Sequence, residues 1–211
     1  MGTSKMETAL RQEQIAQAAL NIVSTSGLKG LSIAAIADRI GLVPSAIYRH
    51  YKGKEEVLDA VIDLIGDRLL SNVEAICQET GDPVERLKRL LLRHIGMIKG
   101  NQGIPRIVFS EDAYENRPER KEKVFGNVKK YLVKVSEIMQ QGQEEGKIRT
   151  DTDPWSLAIM FLGLIQPSGI LWHLSGGEFD VDRQARKSWD LFYDCLQPVP
   201  RTSPDMNGKS K

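Results

Sequence analysis

Ser32-Ile-Ala-Ala-Ile-Ala-Asp-Arg-Ile-Gly-Leu-Val-Pro-Ser-Ala-Ile-Tyr-Arg-His-Tyr51 decides how this 211-residue chain is read. Two short helices that cross steeply need a small residue at the crossing and a glycine in the turn. Ala37 supplies the small contact, and Gly41 takes a left-handed conformation at little cost. Ile36, Ile40, Leu42, Ile47 and Tyr51 then point into a core shared with a preceding helix. Pro44, Ser45, Ala46, Tyr48, Arg49 and His50 are left facing outward.

On either side of this stretch the pattern stays helical. Ile15, Ala18, Ala19, Ile22 and Val23 recur at i, i+3, i+4, i+7 and i+8, the period of one helix face. Ser26-Gly27 ends that helix. Lys52-Gly53 breaks the pattern after the central stretch, and a long helix runs from about Lys54 to Gln78. Proline at the first helical position, where its missing N–H is harmless, opens further helices at Pro83, Pro118 and Pro154; Asp82 and Asp153 stand as N-caps. Gly100–Gly103 separates two helices, Glu145 through Asp151 ends another, Ser175-Gly176-Gly177 closes the next, and the last covers about 182–196. The fold class is therefore all-α, with nine helices: a three-helix unit over 1–53, a larger helical body over 54–197, and a disordered tail over 198–211.

Composition narrows the function. The chain is 41% apolar and 27% charged, an ordinary globular balance. The apolar run Leu157–Ile165 is well short of the roughly 20 residues that cross a bilayer, and the N-terminus lacks the apolar stretch of a secretory signal; no membrane partner is expected. Cys77 and Cys195 form no C-x-x-C pair, in keeping with a reducing cytoplasm. His50, His94 and His173 stand apart, so no metal is expected. Nucleophile–base pairings and phosphate loops are missing as well, so neither an enzyme nor a cofactor is expected. The net charge of +1 hides an asymmetry: residues 1–54 hold seven Lys/Arg against three acids, net +4, and the remainder is net −3. A basic head on a mildly acidic body fits a polyanion met by the head alone. An exposed helix with small residues at its start and Arg, Tyr and His behind suits the major groove of double-stranded DNA.

The stretch from Leu31 to Leu58, closing on Tyr48-Arg-His-Tyr-Lys-Gly-Lys-Glu-Glu-Val-Leu58, resembles the DNA-binding signature of the TetR family of transcriptional regulators. The run Gln143-Glu-Glu-Gly-Lys-Ile-Arg-Thr-Asp151 agrees more loosely. The resemblance implies phosphate contacts from Ser32, Tyr48, His50 and Lys54, the last aided by the helix dipole. It implies base readout by Pro44, Ser45, Ala46 and Arg49, with Arg49 able to hold guanine O6 and N7. Two departures stand out. Val43 replaces a polar N-cap, and Ala34 replaces a base-reading side chain of some relatives.

For the body the resemblance implies a small-molecule effector pocket and a homodimer. Side chains suited to a mainly apolar pocket are His94, Met97, Ile98, Phe109, Tyr131, Val135, Met139, Phe161, Gln166 and His173. Trp155, Trp172, Trp189, Phe192 and Tyr193 concentrate aromatic surface on the last two helices, which in this family pair with their twins. Pro167 falls inside a helical pattern, where it removes a backbone hydrogen bond; a kink there would shape the pocket or the subunit contact. A symmetric pair presents two recognition helices to one face of DNA, so a pseudo-palindromic operator is expected. Repression relieved by an effector is the expected mode, with ligand-dependent activation, or a helical adaptor without DNA binding, left open.

Overall fold

A computed structural model describes residues 2–108, 110–114 and 117–198. Among these the chain is helical throughout and holds no strand. The helices are α1 (Gly2–Ser26), α2 (Ile33–Arg39), α3 (Pro44–Ile47), α4 (Lys54–Glu79), α5 (Pro83–Gly100), α6 (Gly103–Val108), α7 (Pro118–Glu144), α8 (Pro154–Leu174) and α9 (Val181–Leu196). Short 3-10 turns lie at Leu28–Gly30 and Glu111–Ala113. The expected tail, apart from Pro198, lies outside the described residues.

Local chemistry sets the helix starts. Ser32 Oγ accepts from Ala35 N at 3.1 Å, Asp82 Oδ1 from Glu85 N at 2.9 Å and Asp153 Oδ1 from Ser156 N at 2.9 Å, each satisfying a donor the helix leaves unpaired. Gly41 sits at φ +67°, and Leu42 N then returns to Ala37 O at 2.8 Å, reversing the chain between α2 and α3.

Two apolar cores result, and they divide within α4. Val57, Leu58, Val61, Ile62 and Ile65 of α4 join α1, α2, α3 and the α6 residues Ile104 and Ile107 in one cluster. Leu69, Val73 and Ile76 join α5, α7, α8 and α9 in the other. A boundary at 53/54 therefore misses how the units are built: α4 belongs to both, and α6 of the body closes the core of the head.

Specific polar contacts fasten the two together. Arg106 of α6 donates to the Ser24 and Val23 carbonyls at 2.9 and 3.2 Å, capping the C-terminus of α1. Gly103 lies so close that a Cβ there would stand 2.5 Å from the Leu20 carbonyl oxygen. Backbone cannot yield as a side chain can, so Gly103→Ala is expected to destabilise the protein by about 1–3 kcal/mol. Thermal unfolding checks this: the midpoint should drop by several degrees, and an unchanged midpoint contradicts the packing described.

Arg120 of α7 reaches the other side of α4. It is 2% exposed. Its Nε donates to Asp59 Oδ1 at 2.6 Å, its Nη2 meets the Glu55 carboxylate at 2.8 Å and the Glu55 carbonyl at 2.9 Å, and its Nη1 meets the Ala113 carbonyl at 3.1 Å. Lys123 adds an ion pair to Asp63 at 2.8 Å, one turn further along.

With 21 residues and a mean hydropathy of 1.6 over its most apolar window, α8 is long and apolar enough to cross a membrane, more so than the run 157–165 alone indicates. Its inner face, with Leu157, Ala158, Phe161, Ile165 and Trp172, is buried in the body core. Its outer face is also apolar, with Trp155, Ile159, Met160, Ile170, Leu171 and Leu174 exposed.

Candidate functional site

The outward surface of the head is built by α2, α3 and the turn that follows. Regular α-helix in α3 lasts only four residues, although Tyr48 N and Tyr51 N still return to Pro44 O and Ile47 O at 3.2 and 3.0 Å. Val43 makes no side-chain cap, and Pro44 starts the helix by its fixed φ. Ile47 is fully buried and ties the unit to α1, while Tyr51 Oη donates to the Gln12 carbonyl at 3.2 Å.

These anchors leave Pro44, Ser45, Tyr48 and Arg49 exposed and Ala46 half-buried. Tyr48 is 57% exposed, a large fraction for an aromatic side chain with no function at the surface. Ser32 caps α2 with its oxygen and keeps its O–H to donate. Ser32, Pro44, Ser45, Tyr48 and Arg49 are thus all open to solvent, with Ala46 half-buried among them.

His50 and Lys54 sit differently. His50 is half-buried, with Nδ1 enclosed and without a partner. Lys54 Nζ donates to the Leu28 carbonyl at 3.2 Å, bracing the 3-10 turn against α4. The first turn of α4 carries Glu55, held by Arg120, and Glu56, whose carboxylate accepts from Lys52 N at 2.8 Å. Negative charge already at this helix start makes it a poorer phosphate site than the dipole alone implies.

A second site lies inside the body, a cavity of about 100 Å³ walled by α4, α5, α6, α7 and α8. Of the residues expected there, His94, Met97, Ile98, Tyr131 and Gln166 line it. Val135, Met139 and Phe161 do not; all three are fully buried core side chains, the first two a turn or more beyond the part of α7 that borders the void. His173 instead faces a separate surface groove, with Gly27, Leu28 and Lys29 on one side and Pro105 and Arg106 on the other. Phe109 lies outside the described residues. Helical periodicity marks which face is buried, and it carries no sign of where packing leaves space.

Ile62, Ile65, Gly66 and Leu69 of α4, together with Asn127 of α7, complete the wall and escaped the sequence reading. A signal existed: Gly66 interrupts the apolar face of a long helix, and Asn127 is polar between Val124 and Val128. They answer one another, since a Cβ on Gly66 would stand 2.3 Å from Asn127 Nδ2.

His94 Nδ1 and Tyr131 Oη are 3.3 Å apart, with the rings edge to face at 5.5 Å. Burial lowers the His94 imidazole from 6.5 to about 4 and raises the Tyr131 phenol, so both are neutral at pH 7. Above pH 6.5 neither the folded nor the unfolded chain protonates His94, and it has no effect on stability. Between 6.5 and 4 the unfolded chain binds a proton that the folded chain refuses, so stability falls as pH falls. Below about 4 the loss levels off, at no more than about 3 kcal/mol. The urea midpoint of the native protein should therefore drop more over this window than that of His94→Gln; parallel curves contradict the burial.

On α8 and α9 the expected interface residues divide. Trp172, Trp189 and Phe192 are buried at 8%, 6% and 3% in the subunit's own core, so they offer no surface to a partner. Trp155 and Tyr193 are exposed, and Tyr193 stacks on Trp189 with centroids 6.2 Å apart. The periodicity of two consecutive aromatic helices does not say which face turns inward. Pro167 is exposed on α8 while its neighbour Gln166 borders the cavity, so the proline itself is no part of the cavity wall.

A helix-turn-helix head with an exposed turn, carried on a helical body that encloses an apolar cavity, defines a class of DNA-binding regulator. Residues 15–61 match the model of the bacterial regulatory proteins of the tetR family, and residues 80–196 match that of the tetracyclin repressor-like C-terminal domain. The chain belongs to the TetR family of transcriptional regulators. It is 26% identical over 174 residues to the nucleoid occlusion factor SlmA of Edwardsiella ictaluri, covering 80% of this chain and 85% of that protein. To SlmA of Sodalis glossinidius it is 31% identical over 114 residues, 51% of this chain and 58% of that one. Among solved structures, the transcriptional regulator FadR of Bacillus subtilis in complex with stearoyl-CoA aligns with a TM-score of 0.72 over 88% of this chain and 99% of that one, at 21% identity. That likeness is one of fold.

Proposed function

We propose that this TetR-family regulator is a homodimeric repressor that binds a pseudo-palindromic operator and is released by a small-molecule effector held in the body cavity. The observation that carries the reading is the solvent-exposed set Pro44, Ser45, Tyr48 and Arg49, braced from behind by Ile47 and Tyr51. Arg49 reads guanine, Pro44, Ser45 and Ala46 contact bases, and Ser32 and Tyr48 hold phosphates; His50 and Lys54 join them by reorienting. The apolar outer face of α8, with Leu191 and Tyr193 of α9, supports the dimer, because monomers rarely leave so continuous an apolar surface in water.

Effector control is supported by where the cavity sits. Ile62 and Ile65 wall the cavity and also belong to the head core, so a ligand that parts α4 from α7 acts on the helix that positions the head. Coupling of this kind is typically worth 1–3 kcal/mol. The likeness to a FadR bound to stearoyl-CoA fits an effector with an apolar part. Such a regulator acts in the cytoplasm, in keeping with the free thiols Cys77 and Cys195. The similarity to SlmA favours a second reading, a nucleoid occlusion factor.

Fluorescence anisotropy with labelled DNA from upstream of the gene tests the proposal. Binding should occur at low salt and weaken by a factor on the order of 10³ between about 50 and 200 mM salt, as counterions are released from contacted phosphates. Binding that is absent at low salt, or indifferent to it, rules the repressor out.

A further inference from the structure

The side chains lining the body cavity include no Lys, Arg, Asp or Glu. Its polar members are His94, Asn127, Tyr131 and Gln166. Asn127 is already engaged, with Nδ2 donating to the Ile62 carbonyl at 3.4 Å and its carboxamide lying against Gly66. Gln166 lies on the exposed side of α8 and marks the rim. The interior polar point is therefore the His94–Tyr131 pair.

Either proton arrangement in that pair leaves one donor over. If the phenol donates to Nδ1, the imidazole keeps its N–H at Nε2; if Nδ1–H donates to the phenol oxygen, the phenol proton remains. A neutral oxygen acceptor satisfies both cases. A buried carboxylate would meet no cation here and a buried ammonium no anion, and an unpaired buried ion is far more costly than a hydrogen-bonded neutral group.

We propose, building on the effector reading above, that the cavity selects an uncharged, mainly aliphatic molecule bearing one carbonyl oxygen, a ketone or ester, with the oxygen at His94–Tyr131 and the chain along Ile62, Ile65 and Ile165. Its volume of about 100 Å³ is smaller than the roughly 150 Å³ cavity that holds benzene in an engineered protein core. Molecules of about four carbons therefore fill it, and longer ones must spread the helices.

Titration calorimetry on the full-length protein without DNA, using 2-butanone, butyrate and butylamine at pH 7.5, tests this. The ketone should bind once per subunit and at least tenfold more tightly than either ion. His94→Leu should weaken the ketone by about fivefold, the worth of one hydrogen bond, and leave butyrate no better. Butyrate or butylamine binding as tightly as the ketone, or no binding by any of the three, overturns the inference. DNA takes no part in the measurement. A protein that holds its operator and ignores the ketone contradicts this inference alone, and one that binds the ketone but no DNA contradicts only the repressor reading.

Discussion

Arg49→Ala is expected to weaken binding to the specific operator by a factor between about 30 and 2 × 10⁴. One bidentate arginine–guanine contact is worth about 1–3 kcal/mol of discrimination, and a two-fold symmetric dimer loses it twice, about 2–6 kcal/mol in all. Folding should be untouched: Arg49 is exposed, and no hydrogen bond or ion pair to it exists among the described residues. Competition anisotropy with operator and random duplex separates the effects, because binding to random sequence rests on phosphate contacts and should weaken far less. Equal weakening on both duplexes would reassign Arg49 to the phosphate backbone. Tyr48→Phe provides the contrast, since loss of one phosphate contact should reduce affinity modestly and to the same degree on every sequence.

Arg120→Met is expected to destabilise the protein by about 2–4 kcal/mol. Removing one partner of a buried ion pair typically costs 3–5 kcal/mol. The lower figure applies because Asp59 and Glu55, at 34% and 48% side-chain exposure, regain water once the guanidinium is gone. The Ala113 and Glu55 carbonyls lose their donor as well. For a chain of this size the thermal midpoint should fall by about 2–4 °C per kcal/mol. Operator affinity should fall with it even below the transition, because Arg120 fixes the first turns of α4, the helix shared by the two cores. A variant with an unchanged midpoint contradicts the clamp.

How much of this was legible in the residues depends on the range of the physics involved. Helix starts at Asp82 and Asp153 depend on a side chain that accepts from the backbone N–H three residues on, and the Gly41 turn on one backbone conformation; both could be read directly. The outward set from Pro44 to Arg49 followed from the burial of Ile47, a one-turn argument. Lys54 failed that kind of reasoning because its partner, the Leu28 carbonyl, comes from a segment 26 residues earlier. Arg120, 61 residues from Asp59, left no local trace at all. In the body, His94 and Tyr131 were placed beside the cavity, but Val135, Met139 and Phe161 share their periodicity and lie in solid core. Whether a buried face borders space is decided by neighbouring helices. The same holds for Trp172 and Trp189, whose inward turn is set by packing of α8 and α9 against α5 and α7.

Guanine-N7 methylation interference on the DNA upstream of the gene tests most directly whether α3 enters the major groove twice. Two dyad-related sets of interfering guanines are expected on one face of the duplex, centred a whole number of helical turns apart, about 34 Å for one turn. Both sets should vanish in Arg49→Ala. A single asymmetric set, interference unchanged by that substitution, or a protein that protects no guanine at low salt would contradict that double entry.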